Sequence, residues 1–224
     1  MVSKIIENLP YRDRVNVFQD RFEAGRLLAG ELKMYVGNSN VIVLAIPAGG
    51  VPVGSTVAKL LNAKFDVVIV RKLQVPWNPE AGFGAVSWDG KVFLNPDLVE
   101  QLNLTKAEID ASILETNRNI EERLSKFRGD KPLPDLTSNI VILVDDGLAS
   151  GYTMLAAAQF VKAKKPQKVV IAVPTASMGA IELLKPHVDE IFCLNIRSGA
   201  AFAVADAYVN WYDLTDEEVQ DLLQ

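Results

Sequence analysis

The stretch from Ile140 to Thr153, Ile-Val-Ile-Leu-Val-Asp-Asp-Gly-Leu-Ala-Ser-Gly-Tyr-Thr, decides the fold. Its first five residues are continuously apolar, which is typical of a strand that is buried on both faces of a parallel sheet. Two carboxylates follow at Asp145 and Asp146, and a turn of small residues then leads into a helix that should begin near Tyr152. This order of strand, acidic tip, turn and helix is one unit of an open α/β sheet.

The same pattern recurs on both sides of this stretch. Further strands are predicted at Val41–Ile46, Val67–Val70, Val169–Val173 and Glu190–Ile196, and helices at Asp20–Tyr35, Val53–Leu61, Tyr152–Ala163 and Met178–Leu184. Alternation of strands and helices predicts an α/β fold, with a mainly parallel sheet covered by helices on both faces.

The middle and the end of the chain have other patterns. Asp89-Gly90 lies between the apolar runs 84–88 and 91–94, which predicts a hairpin. A long charged helix should follow over Lys106–Phe127. We predict a single domain over residues 1–224, in which residues 198–224 form a small hood lobe over one edge of the sheet.

Composition excludes several classes of protein. The chain is 49% hydrophobic and 23% charged with a net charge of −5, which disfavours nucleic-acid binding. No apolar run is long enough for a membrane span and no signal-peptide pattern is found, so we expect a cytoplasmic protein. The single cysteine, Cys193, excludes a disulfide framework and a Cys-based zinc cluster. The single histidine, His187, has no Gly-x-Ser-x-Gly elbow to work with in a catalytic triad.

The residues after the acidic pair suit a sugar phosphate. In an open α/β sheet, ligands bind at the carboxyl ends of strands, where Asp145 and Asp146 fall. Free amides and the dipole at a helix start favour a phosphate, and Ser150 and Thr153 can add hydroxyl donors. Two carboxylates would repel a bare polyphosphate but accept hydrogen bonds from sugar hydroxyls. The predicted phosphate loop is Ala149, Ser150, Gly151, Tyr152 and Thr153.

At this point the chain resembles the type I phosphoribosyltransferases, and within them the group of predicted enzymes whose acceptor is unassigned. The stretch 140–153 is similar to the family's loop for phosphoribosyl diphosphate (PRPP), with Ser150 in place of the commoner Thr. The resemblance implies that Asp145 and Asp146 are catalytic residues and that they hold the ribose hydroxyls. It also implies that the turn 149–153 holds the 5′-phosphate.

Two more segments resemble parts of the same family. Residues 45–54, Ala-Ile-Pro-Ala-Gly-Gly-Val-Pro-Val-Gly, are similar to the diphosphate loop, which implies that Ala48, Gly49 and Gly50 meet the diphosphate. Ala48 stands where relatives often carry Arg or Lys. Residues 70–82 resemble the strand end and mobile lid that closes over PRPP, which implies a diphosphate contact for Arg71 and a catalytic role for Lys72.

The resemblance implies a pentosyltransferase that moves the 5-phosphoribosyl group of PRPP to a nitrogen acceptor and releases diphosphate. Mg²⁺ would be the cofactor, held through the substrate near Asp145 and Asp146 without direct protein ligands. Ala149 replaces the Asp of hypoxanthine-guanine relatives, which disfavours that salvage reaction. Glu80 and Phe202 are the candidates for the acceptor pocket, and a homodimer is compatible with the resemblance.

Alternatives from other classes remain open. A PRPP- or nucleotide-binding regulator with little turnover would suit the missing charge at Ala48. A Mg²⁺-dependent phosphohydrolase with Asp145 as nucleophile is disfavoured, because such enzymes separate their two Asp residues by one residue. A dehydrogenase is disfavoured because no Gly-x-Gly-x-x-Gly follows the first strand.

Overall fold

The computed structural model describes residues 3–199 and 201–224, with the side chains of Pro79 and Glu80 outside the described part. The strands in that part are β1 (Lys4–Glu7), β2 (Val41–Ala45), β3 (Lys64–Val67), β4 (Val70–Val75), β5 (Asn78–Ser87), β6 (Val92–Leu94), β7 (Ile140–Val144), β8 (Lys168–Ser177) and β9 (Glu190–Arg197). Six of them form a parallel sheet in the order β1-β9-β8-β7-β2-β3. The predicted parallel sheet is therefore confirmed.

Helices connect these strands. They are α1 (Arg21–Glu31), α2 (Gly50–Leu61), α3 (Pro96–Gln101), α4 (Lys106–Arg128), α5 (Tyr152–Lys162), α6 (Met178–Leu184) and α7 (Asp216–Leu222). Short 3₁₀ turns lie at Leu9–Tyr11, Lys33–Tyr35, Lys185–His187 and Val204–Ala207. Within the described ranges, no helix combines the length and the apolar character needed to cross a membrane.

The apolar runs of the sheet are continuous because both faces are covered. In β7, Val141 and Leu143 belong to a core cluster shared with α5 and α6, whereas Ile142 and Val144 belong to another cluster shared with α1 and α2. Successive side chains of a strand point to opposite faces, so an unbroken apolar run requires an apolar layer on each side. This confirms the two-sided burial that was predicted for residues 140–144.

The predicted strand Val67–Val70 is wrong. β3 ends at Val67, and the amide of Val68 makes a last hydrogen bond of 2.9 Å to the carbonyl of Ala45. The chain then leaves the parallel sheet and enters an antiparallel sheet of order β4-β5-β6. Val68 and Ile69 are apolar because they are buried in two different apolar clusters, not because they continue a strand.

Other predicted boundaries need smaller changes. The hairpin at Asp89-Gly90 is confirmed by antiparallel pairing of β5 with β6, and the long charged helix is confirmed as α4. The helix predicted over 20–35 ends at Glu31, and a 3₁₀ turn follows it. Asp20 is its N-cap, since its carboxylate accepts the amide of Glu23 at 2.8 Å. Strand β1 was not predicted from the sequence.

The tail after β9 packs against two separate parts of the fold. Tyr208 is buried and pairs with Phe18, just before α1. Val219 of α7 is buried in a third apolar cluster with residues of β4, β5 and α4. The single domain over residues 1–224 and the hood lobe at 198–224 stay predictions.

Candidate functional site

Two loops meet at the carboxyl ends of β2 and β7. These strands are neighbours in the sheet, with Ala45 opposite Val144. A β-carbon at Gly49 would lie 1.9 Å from Oδ2 of Asp146, and one at Gly50 would lie 2.8 Å from the carbonyl oxygen of Val144. Only glycine permits such an approach. The predicted diphosphate loop and the predicted acidic pair are therefore in contact.

The loop after β2 offers backbone rather than charge. No ionisable side chain occurs from Ala45 to Gly54. The peptide bond between Pro47 and Ala48 is cis, and the side chain of Ala48 is half-buried against the third apolar cluster. Whatever positive charge this part of the site has must come from elsewhere in the chain.

The acidic pair is withdrawn from water. Asp146 is buried, and Asp145 is half-buried with its Oδ1 accepting the backbone amide of Asp146 at 2.9 Å. Burial raises the pKa of both carboxyls, and the charge of Asp146 raises the pKa of Asp145 further. The guanidinium of Arg21 opposes both effects.

Arg21 is the cation that pairs with the acidic tip. It is the first residue of α1, and its Nε lies 2.9 Å from Oδ2 of Asp146. Its Nη1 donates to the carbonyl of Tyr212 at 2.9 Å, and its guanidinium lies 4.0 Å from the ring centre of Trp211. The hydroxyl of Tyr208 donates to the carbonyl of Asp146 at 2.6 Å. The tail and the start of α1 thus hold the acidic tip from one side.

Sequence reasoning assigned no role to Arg21. A signal was present, because Arg21 follows the N-cap Asp20, and a cation at a helix N-terminus opposes the helix dipole. Such a residue is expected to have an acidic partner. The identity of that partner, 125 positions away in the chain, needed the structure.

The turn after the acidic pair is open to an anion. Leu148 ties it to β8 through backbone hydrogen bonds with Thr175 and Ser177, of 3.0 and 2.9 Å. Ala149 and Ser150 are exposed. In the described part of the chain, none of the amides of residues 149–154 donates a hydrogen bond to another protein group. These amides precede and open α5, where the helix itself leaves its donors unpaired.

Gly151 gives this turn its shape. Its φ of 83° is in the left-handed region, and a β-carbon there would lie 3.2 Å from the Cβ of Ala180 in α6. The backbone of the turn is therefore pressed against α6 while its outer side stays accessible. The loop predicted from the sequence has a geometry that can receive a phosphate.

Arg71 and Lys72 lie in a different place from that predicted. They are the second and third residues of β4, not the end of a parallel strand, and line a groove of about 450 Å³ between β4 and α4. Burial, followed by the nearby charge of Arg123, lowers the pKa of Arg71 to about 10. Arg21, in contrast, is in direct contact with Asp146.

The aromatic residues of the tail divide into two groups. Tyr208 belongs to the core, whereas Trp211 and Tyr212 are exposed. Phe202 is half-buried, with its ring centre 6.0 Å from the guanidinium of Arg197. The side chain of Glu80 lies outside the described residues. The acceptor pocket predicted from Glu80 and Phe202 stays a prediction.

The described side chains restrict the way in which this site can bind a metal ion. Among them, no group of three or more His, Cys, Asp and Glu side chains is arranged to hold a metal ion. Asp145 and Asp146 supply the oxygen ligands that Mg²⁺ prefers, but Oδ2 of Asp146 is already engaged by Arg21. These carboxylates fit an ion held mainly by the oxygens of a bound substrate.

Comparison with known proteins agrees with this geometry. The model of the phosphoribosyl transferase domain family matches residues 89–207, just over half of the chain. The chain belongs to this family. Its fold is the type I phosphoribosyltransferase fold, as predicted, and the family supports the predicted class of enzyme, a pentosyltransferase.

Individual relatives are consistent with the family. Two curated proteins, from two strains of Mycobacterium tuberculosis, carry the provisional name phosphoribosyl transferase and are 40% identical over 205 residues. The match covers 92% of this chain but 46% of theirs, so the chain spans about half the length of those relatives.

Solved structures resemble the chain as well. The crystal structure of TT1426 from Thermus thermophilus is 35% identical, with a TM-score of 0.71, and the match covers 92% of this chain and 97% of that one. The AQ2163 protein from Aquifex aeolicus shares the fold at 13% identity, with a TM-score of 0.50 over 84% of this chain and 78% of its own.

Proposed function

We propose that this chain transfers the 5-phosphoribosyl group of PRPP to a nitrogen acceptor, with release of diphosphate. The observation that carries the proposal is the contact between two loops. The loop after β7 contains the two carboxylates and a turn whose amides donate no hydrogen bond to the described protein groups, and the loop after β2 contains Gly49 and Gly50. Family membership supports the same reaction.

Each part of PRPP has a partner in this arrangement. The amides of residues 149–153 would receive the 5′-phosphate, and Asp145 and Asp146 would accept hydrogen bonds from the ribose hydroxyls. The backbone of Ala48, Gly49 and Gly50 would face the diphosphate on the other side of the acidic tip. The contact between Gly49 and Asp146 supports this order, because it puts the ribose site beside the diphosphate loop.

The chemistry is a substitution at C1 of the ribose. The acceptor nitrogen forms a bond to C1 while the bond from C1 to the diphosphate oxygen breaks, and positive charge develops on the ribose ring. The protein contributes orientation of both reactants and stabilisation of the separating charges. When bound, Mg²⁺ would neutralise charge on the leaving diphosphate, with the acidic pair ordering the ion through substrate oxygens.

Closure of the β4–β5 hairpin is part of the proposal. Arg71 and Lys72 line the groove between β4 and α4 in this structure, so their roles toward diphosphate and catalysis require the hairpin to move over the substrate. Trp77 at the tip of the hairpin is exposed, as expected of a lid that is open.

We propose that the acceptor is a nucleobase. Salvage of hypoxanthine or guanine in the usual way is disfavoured. Ala149 has no carboxylate to act on a purine nitrogen. Phe202, in the tail, offers a ring on which the base could stack, and Glu80 is the second candidate for the acceptor pocket. The cytoplasmic location and the homodimer stay predictions.

A second candidate is a PRPP-binding regulator with little turnover. It is favoured by the absence of a cation at position 48 and by the ion pair that already occupies Asp146. The two candidates differ in diphosphate release, not in binding.

The test is a screen for diphosphate release from PRPP and Mg²⁺ over purines, pyrimidines and small amines. We expect release with at least one acceptor, and its loss in Asp145→Asn. Binding of PRPP without release across the whole panel would favour the regulator. Release that is equal in wild type and Asp145→Asn would exclude this site as its source.

A further inference from the structure

We propose that Arg21 is the cation of the diphosphate subsite, standing in for the charge that the loop lacks at Ala48. The inference rests on the proposed function and deepens it, because it assigns a substrate-binding role to a residue outside both loops. The ligand is the diphosphate group of PRPP.

Arg21 and Gly49 are both close to the same oxygen atom of Asp146. Oδ2 of Asp146 accepts a hydrogen bond from Nε of Arg21 at 2.9 Å, and the same oxygen would lie 1.9 Å from a β-carbon on Gly49. The guanidinium and Gly49 of the diphosphate loop are therefore both next to the same oxygen atom. A diphosphate seated on Gly49 would be next to Arg21.

The hydrogen bonds of Arg21 leave one donor group available. Nε is used by Asp146 and Nη1 by the carbonyl of Tyr212. Within the described part of the chain, Nη2 donates no hydrogen bond to a protein group, although the side chain as a whole is only 7% exposed. Nη2 is not buried without a partner, so it keeps contact with solvent and a ligand can reach it. An oxygen of the ligand would complete the set.

The charges at the site favour a protein cation in addition to Mg²⁺. Asp145 and Asp146 carry the negative charge of the acidic tip, and residues 45–54 contain no positive charge. A diphosphate beside two unneutralised carboxylates would be repelled. Arg21 neutralises part of this charge, and its planar fork can bind a carboxylate and a phosphate oxygen together.

The competing explanation is that Arg21 only fastens the tail. Its contacts with Tyr212 and Trp211 would be enough for that role. If Arg21 only fastens the tail, its replacement should lower the stability of the protein and its affinity for all ligands together. If Arg21 contacts the diphosphate, its replacement should lower mainly the affinity for ligands that carry a diphosphate. Trp211→Leu removes the stacked ring and keeps the charge, so it separates the two roles.

The experiment compares wild type, Arg21→Met, Arg21→Lys, Trp211→Leu and the control Arg26→Met, which changes an exposed arginine of the same helix. Calorimetric titration with Mg²⁺ measures the affinity for inorganic diphosphate, ribose 5-phosphate and PRPP. We expect Arg21→Met to weaken diphosphate and PRPP binding by roughly tenfold or more, and ribose 5-phosphate binding by much less. Arg21→Lys should bind diphosphate more tightly than Arg21→Met, because it keeps the charge.

A pH series measures the effect of the Arg21 charge on the acidic pair. Arg21 lowers the pKa of both carboxyls against the effect of burial. Without its charge, the acid limb of PRPP binding should move to higher pH in Arg21→Met but not in Trp211→Leu.

Each outcome decides the matter. If wild type binds PRPP and diphosphate while Arg21→Met and Arg21→Lys bind both equally well, the role of Arg21 is refuted and the proposed function stands. If Arg21→Met does not fold, a loss of affinity in Arg21→Lys that is the same for diphosphate and for ribose 5-phosphate, and that matches the loss in Trp211→Leu, also refutes it. A wild type that binds neither ligand overturns the proposed function and this inference with it.

Discussion

Gly49 lies so close to Asp146 that a β-carbon on it would be 1.9 Å from the carboxylate oxygen Oδ2. The loop after β2 and the acidic tip of β7 are about 100 residues apart in the chain, and register between neighbouring parallel strands brings them together. The contact depends on the missing side chain, because no real β-carbon approaches an oxygen this closely.

Substitution of Gly49 should therefore damage the site more than the fold. In Gly49→Ala the new methyl group must displace the Asp146 carboxylate, and we expect PRPP affinity to fall by about tenfold or more. Calorimetric titration with PRPP and Mg²⁺ measures this change.

The matched control is Gly30→Ala, in the exposed part of α1, where a β-carbon meets nothing within 4 Å. Alanine is the better helix former, so this variant should gain about 0.5–1 kcal/mol of stability and keep its PRPP affinity. Equal affinities of Gly49→Ala and Gly30→Ala would contradict the importance of the close contact.

The buried hydroxyl of Tyr208 should matter for stability. Tyr208→Phe leaves the buried carbonyl of Asp146 without this donor, which should lower the free energy of unfolding by about 1–3 kcal/mol. Urea denaturation measures the loss. The control Tyr212→Phe removes an exposed hydroxyl bonded to Glu218, and its effect should stay within about 0.5 kcal/mol. A loss in Tyr208→Phe as small as in the control would show that the hydrogen bond contributes nothing.

The raised pKa of Asp145 predicts a pH-dependent cost to stability. Between its ordinary pKa and its raised value, the folded state binds more protons than the unfolded state, so stability falls as pH rises through this window. Asp145→Asn does not titrate. Its advantage in unfolding free energy over wild type should therefore grow from pH 4 to pH 7.

Urea denaturation of both proteins at the two pH values measures the difference. The control is Asp110→Asn, which makes the same substitution at an exposed residue of α4. A constant difference for Asp145→Asn as well would show that the carboxylate carries no such penalty.

The lid prediction concerns the β4–β5 hairpin. Closure over PRPP should protect the segment from Lys72 to Gly82, and cleavage by chymotrypsin after the exposed Trp77 should slow several-fold. Mass spectrometry of limited digests with and without PRPP and Mg²⁺ measures the rate at this bond. Cleavage sites away from the hairpin provide the reference, and an unchanged rate at Trp77 would argue against a lid.

Much of the central sheet could be predicted because its signals are local. Residues 140–144 are apolar without interruption since both faces of the sheet are covered, and Tyr152 begins a helix as its turn chemistry indicates. The positions of the acidic pair and of the small-residue turn, between a strand and a helix, could be predicted as well. These features depend on neighbours in sequence.

The errors arose where long-range contacts decide the structure. Val68 and Ile69 look like strand residues but are buried in two apolar clusters between β3 and β4 in the chain. Strand β1 is half polar and exists because it pairs with the edge of β9. Arg21 could be noticed as a cation at a helix start, but its partner Asp146 could not be named from the sequence.

The central claim is that PRPP is bound by the acidic tip and the turn that follows it. Its most direct test is calorimetric titration of wild type, Asp145→Asn and Asp146→Asn with PRPP and Mg²⁺, with circular dichroism to confirm that all three are folded. We predict that each variant binds PRPP about tenfold more weakly than wild type, or worse. Affinities equal to that of wild type in both folded variants would contradict the claim.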